Sequence, residues 1–145
     1  MISIVGVGNA ACEIAKNFKT QKNYNVYLLG SNVERQSKYQ YRLQEFENPQ
    51  EYEENVPDLT DFFSNVDDIV QVFIVGASYS SNYSLGILQQ LSHKKIQVFY
   101  IKPDIELLTG TPRLIENMTF GVLQEYARSG VFENMTIISN LEIEN

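Results

Sequence analysis

The sequence predicts an α/β fold, a mainly parallel sheet of about five strands with helices on both faces. Three observations predict it. Short apolar runs suited to strands buried on both faces recur along the chain. Segments with apolar residues at helical spacing alternate with them, and glycine-bearing or small polar turns divide the two. With 145 residues and 43% hydrophobic content, residues 1–145 are expected to form a single domain with its own core.

Ile2 to Val5, apolar apart from Ser3, reads as the first strand. Gly6 and Gly8 follow. Ala11, Ile14, Ala15 and Phe18 then fall at i, i+3, i+4 and i+7, which places four apolar side chains on one helix face. Glycines there let another group approach the backbone, and the free N–H groups at a helix start attract anions. Lys19 to Asn25 is polar and turn-like, and Val26 to Leu29 is a second buried strand that ends at Gly30-Ser31-Asn32. Residues 33–46, polar and dotted with tyrosines, read as helical.

Asp68 to Gly76 is the strongest strand in the sequence and runs into the small polar loop Ala77 to Asn82. A helix is expected from Ser81 or Asn82 to about His93, with Leu85, Leu88 and Leu91 inward. Ile96 to Ile101 forms the next strand, stopped by Lys102-Pro103. Thr111 suits an N-cap and Pro112 a first helical position, and Leu114, Ile115, Met118, Val122, Leu123 and Tyr126 keep helical spacing as far as the stop at Gly130. Met135 to Ser139 is the last strand, ending at Asn140.

Residues 45–68 hold nine acidic residues and no Lys or Arg, so the whole net charge of −7 resides there. The stretch reads as a solvated connection with Leu59, Phe62 and Phe63 tucked onto the core. The acidic balance argues against non-specific nucleic-acid binding, since a phosphate backbone would be repelled. No apolar run approaches the roughly 20 residues needed to span a bilayer, so no membrane association is expected. A polar helix with Glu13 and Lys16 follows the opening strand, which is not the pattern of a signal peptide. With a single cysteine, Cys12, these features point to a cytoplasmic setting. His93 is the only histidine and no zinc or haem ligand spacing occurs, so no metal site and no catalytic residue is assigned.

Two phosphate-binding patterns fit the opening glycines. Gly6-Val7-Gly8-Asn9-Ala10-Ala11 satisfies G-x-G-x-x-A, the dinucleotide fingerprint of Rossmann enzymes, which implies a Rossmann-like fold and an NAD(P) cofactor. That pattern wants a carboxylate at the end of the second strand for the ribose hydroxyls, and here Gly30-Ser31-Asn32 stands there with Arg35 just beyond. Ser31 and Arg35 would suit a phosphorylated ribose.

The second pattern extends over about 135 residues. Ile4 to Ala10 resembles the start of the tubulin/FtsZ superfamily, where a strand, glycines and Asn-Ala begin the GTP site. Leu28 to Asn32 resembles the second strand and its Asn-Thr-Asp loop, and Val72 to Gly76 the strand before the glycine-rich phosphate loop. Ile101-Lys102-Pro103 and Gly110-Thr111-Pro112-Arg113 resemble the Thr-Lys-Pro and Gly-x-x-Arg segments. Gly121 to Glu125 and Met135 to Asn140 resemble the G-I-E-E-L helix and the I-T-I-P-N strand end. The resemblance implies GTP or GDP as ligand: Gly6, Gly8, Asn9 and Ala10 at the nucleotide, with Asn9 near base or ribose. It further implies Ser78, Ser80 and Ser81 at the phosphates, Arg113 at ribose or phosphate, and Asn140 at the base. Residue by residue, plainer readings stand beside these: Asn9 as a helix cap, Arg113 as a solvated first-turn residue, Asn140 as a strand end.

The sequence departs from that family in its phosphate loop, where Gly76 to Asn82 lacks the glycine density and Tyr79 would limit backbone approach. It shows no counterpart of the family's central helix, second domain or acidic catalytic loop, so hydrolysis is not expected of this chain alone. The function expected is guanine-nucleotide binding, intact or residual, in a self-assembling homo-oligomer or larger assembly. An NAD(P)-binding Rossmann module is the first alternative, and a structural subunit that has lost its ligand is the second.

Overall fold

The computed structural model describes residues 1–33, 37–76, 83–102, 111–130 and 132–139, with backbone alone at 49, 111–119 and 139. Its elements are β1 (Ile2–Val7), α1 (Asn9–Ala15), β2 (Tyr24–Gly30), β3 (Gln40–Arg42), α2 (Pro49–Glu54), β4 (Ile69–Val75), α3 (Ser84–Gln90), β5 (Lys95–Lys102), α4 (Thr111–Arg128) and β6 (Asn134–Ser139). A short 3-10 turn, Lys16–Phe18, continues α1. Six strands form one sheet in the order β3-β2-β1-β4-β5-β6, and every pairing is parallel. The α/β, mainly parallel expectation holds, with one strand more than the sequence disclosed.

Strand alternation sends side chains to two cores, because successive residues of a strand face opposite ways. Val5, Val7, Tyr27, Leu29, Val70, Val72, Val98 and Tyr100 face one side, where Ile87, Leu88 and Leu91 at α3, Leu123 of α4 and the segment around Leu59 and Phe63 cover them. Ile4, Val26, Leu28, Phe73 and Ile101 face the other side, where Ala11, Cys12 and Ala15 of α1 pack. Helices therefore lie on both faces. Ala11, Ile14, Ala15 and Phe18 all join the second core, as their spacing predicts.

Two local expectations need correction. Residues 33–46 are not helical in the described part: Gln40–Arg42 pairs with Leu28, Leu29 and Gly30 as an edge strand. Tyr39, Tyr41 and Leu43 alternate, so a strand puts them together against Tyr27, Phe62 and the buried core, whereas a helix would scatter them. The helix after β4, described as Ser84–Gln90, stops three residues short of His93, and its expected start at Ser81 or Asn82 lies outside the described residues. Leu91 follows as its C-cap with its side chain fully buried.

The acidic stretch is part of the fold. Leu59 is fully buried and Phe63 nearly so, as expected. The Gln90 carboxamide secures the backbone beside them, accepting from the Leu59 N–H (2.7 Å) and donating to the Pro57 carbonyl (2.9 Å). Asn48 caps α2 by accepting from the Glu51 N–H at 3.0 Å.

At the opposite end of the sheet, Asp67 draws three strands together. Ser3 Oγ and Asn25 Nδ2 both donate to its Oδ2, at 2.8 and 2.9 Å. Ser3 is fully buried, and its hydroxyl also accepts from the Asp67 N–H, so the group is satisfied.

Candidate functional site: the crevice at the carboxyl ends of the strands

The strand order reverses between β1 and β4, and the crevice of a parallel α/β sheet opens outside the carboxyl ends of the strands at such a point. The β1–α1 turn forms one wall. Gly8 is the N-cap of α1 with φ 95° and ψ 159°, a region essentially reserved for glycine. Its N–H donates to the Leu29 carbonyl (2.7 Å) and its own carbonyl accepts from the Cys12 N–H (2.9 Å), so the turn is tied to the end of β2 and to its helix. Gly6 serves packing: a Cβ there would stand 3.0 Å from the Ala11 carbonyl oxygen and 3.1 Å from Ala15 Cβ.

Asn9 does not cap its own helix. Its Oδ1 accepts from the Asn32 N–H (2.9 Å) and its Nδ2 donates to Ser31 Oγ (2.8 Å), fastening the glycine turn to the residues after β2. Because a backbone N–H identifies Oδ1 as the acceptor, the orientation of the amide follows from the bonding. Gly30 makes room, since a Cβ there would lie 2.6 Å from Oδ1.

Ser31 passes the connection on. Its hydroxyl donates to Glu45 Oε1 at 2.7 Å. Glu45 arrives there because β2–β3 pairing runs beyond the short strand, with the Leu43 N–H donating to the Gly30 carbonyl (3.0 Å). Two residues further on, Glu45 lines a cavity of about 290 Å³ together with Asn9, Ser31, Leu43, Phe46 and Tyr83. Glu45 is the only charged residue among the described ones lining it. Tyr83 is nearly inaccessible and donates to the Gln44 carbonyl (2.7 Å), and burial pushes its hydroxyl up to about 12, so it braces the wall.

A second cavity, of about 340 Å³, lies behind Asn9 against α1, with Cys12, Lys16, Lys19 and Gln40 in its walls. Burial pushes the Cys12 thiol up to about 11, which makes it a packing residue and a poor nucleophile. Asn9 stands between the two cavities.

Of the residues predicted for ligand contact, Gly6, Gly8, Asn9 and Ala10 come together at the β1–α1 turn. Ser78, Ser80, Ser81 and Asn140 lie outside the described residues, as do Arg35 and the side chain of Arg113. Glu45 was not predicted. The alternation Tyr39, Tyr41, Leu43, which continues onto Glu45, signals the strand but not the pairing that sets Glu45 beside Ser31. Among the described residues no cluster of three or more His, Cys, Asp or Glu could hold a metal ion, and no helix is long and apolar enough to cross a membrane.

The strand order, the parallel pairing and the glycine turn define a Rossmann-like α/β fold. The solved structures it resembles include a short-chain dehydrogenase/reductase from Burkholderia vietnamiensis. That structure matches with a TM-score of 0.51 over 95% of this chain and 82% of that chain, at 11% sequence identity. At that identity the likeness is one of fold. No protein-family model matches the sequence, and no curated protein matches it significantly.

Proposed function

We propose that this chain binds a nicotinamide dinucleotide, NAD or NADP, in the crevice between the β1–α1 turn and the end of β4. The observation that carries the reading is the placement of Gly8, in a glycine-only conformation, beside the β1/β4 reversal of a 3-2-1-4-5-6 parallel sheet. The residues present fit such a group. With no side chain at Gly8, a pyrophosphate can approach the backbone of the turn. Ser31 and Glu45 would meet the adenosine ribose in the cavity they line, and Leu43 and Phe46 offer a base an apolar wall. When bound, the nicotinamide would supply hydride chemistry, and this chain's part is to seat and orient it. The fold likeness to a dehydrogenase/reductase supports this reading over the others.

Guanine-nucleotide binding in a self-assembling protein is a second reading, supported by the resemblance of the Gly6 to Ala10 turn. One ligand panel separates the two: thermal shift and calorimetry with NAD, NADP, GTP and GDP, with and without magnesium. A ligand at 100 times its dissociation constant should stabilise the fold by about 2.7 kcal/mol. The dinucleotide reading expects a shift with NAD or NADP, and a shift with guanine nucleotides alone would overturn it.

A further inference from the structure

The connection Asn9–Ser31–Glu45 has a chemical polarity. A serine hydroxyl has one proton, and Ser31 gives it to Glu45 Oε1 at 2.7 Å. Its oxygen is already accepting from Asn9 Nδ2 at 2.8 Å, and Asn9 Oδ1 is taken by the Asn32 N–H at 2.9 Å. Ser31 therefore has no donor left for a ligand. The second oxygen of the Glu45 carboxylate has no partner among the described residues. Together the Ser31–Glu45 pair offers acceptors and negative charge, and no described Lys or Arg lines the cavity beside it. Groups that carry hydroxyl protons satisfy such a rim. A phosphate brings further acceptors and about −1.5 to −2 of charge, and is repelled.

The geometry points to Glu45 as the residue that selects a ribose with free 2′- and 3′-hydroxyls over a 2′-phosphorylated one, so that NAD is bound in preference to NADP. The inference rests on the dinucleotide reading above. It departs from the expectation that Ser31 and Arg35 suit a phosphorylated ribose, of which Arg35 lies outside the described residues. The carboxylate is absent from the end of β2 but is delivered to the same place from beyond β3. Three bonds hold it in register: Leu28 N–H to the Tyr39 carbonyl, Leu43 N–H to the Gly30 carbonyl, and Ser31 to Glu45 itself.

The test is isothermal titration of wild type and Glu45→Gln with NAD and NADP. Glutamine keeps the size of the side chain and removes the charge. Wild type is expected to bind NAD at least about ten-fold more tightly than NADP. Glu45→Gln should lose about ten-fold in NAD affinity, as for a hydrogen bond to a charged group, and the preference should collapse. Its melting temperature should not change, because the Glu45 side chain is exposed. Wild type binding NADP as tightly as NAD, or Glu45→Gln keeping the wild-type ratio, would overturn the role of Glu45 and leave the dinucleotide reading intact. Binding of neither dinucleotide by wild type would overturn both.

Discussion

A Cβ on Gly30 would stand 2.6 Å from Oδ1 of Asn9, the oxygen that holds the Asn32 N–H. Gly30→Ala must therefore turn the Asn9 side chain and break its two bonds, at a cost of about 1–2 kcal/mol. In an Asn9→Ala background the obstacle is gone, and the added cost of Gly30→Ala should fall to a few tenths of that. Urea unfolding of the four proteins completes the cycle, with a coupling above about 0.5 kcal/mol expected. Strictly additive costs would mean that the two residues do not meet.

Gly8→Ala places a Cβ on a backbone at φ 95°, ψ 159°. The strain should lower stability by about 1–3 kcal/mol, seen as a lower urea midpoint at unchanged slope. Loss of dinucleotide binding should accompany it. A stable variant with wild-type affinity would show that the turn tolerates a side chain and is not the seat of the pyrophosphate.

Asp67 is expected to contribute to the acid limb of stability. Partial burial alone pushes its carboxyl up. The hydrogen bonds from Asn25 and Ser3, with the N-terminal ammonium and Lys94, outweigh that and hold it below the ordinary carboxylate value. A folded-state pKa below the unfolded one stabilises the fold above the unfolded value, near pH 4, and that stability is lost as pH falls through the folded one. Asp67→Asn should reduce stability at pH 7, and its difference from wild type should narrow below about pH 4. Parallel pH profiles would remove Asp67 from the acid transition.

Leu59 tests whether the acidic stretch belongs to the core. It is fully buried, so Leu59→Ala should cost about 2–5 kcal/mol. Glu53→Gln, at an exposed site of the same stretch, should stay within about 0.5 kcal/mol of wild type. Similar midpoints for the two variants would return the stretch to a surface connection.

What could be read from the sequence was local chemistry. Ile2 to Val5 and the glycines after it declare a buried strand and an unusual turn, because both demands fall on neighbouring residues. Leu59 and Phe63 stood out as apolar residues in an acidic setting. The third strand did not, since Gln40–Arg42 is a strand only by virtue of its pairing with Leu28 to Gly30. Without that register Glu45 is one of nine carboxylates in a row of acids, and nothing local marks it as the one beside Ser31. Its place depends on pairing between distant segments, which periodicity within one segment does not report.

The sheet order also sets a timetable. β1, made first, gains β2 as a neighbour at once, but its other side waits for β4, and the Ser3–Asp67 link beneath them joins residues 64 apart. Non-local pairings form late, because the intervening chain must be closed before any contact rewards it. A nascent chain that has not reached β4 would carry the glycine turn with nothing opposite it. A ligand in that crevice can therefore reward only chains that have reached β4, and a cell rich in ligand would stabilise those over shorter ones.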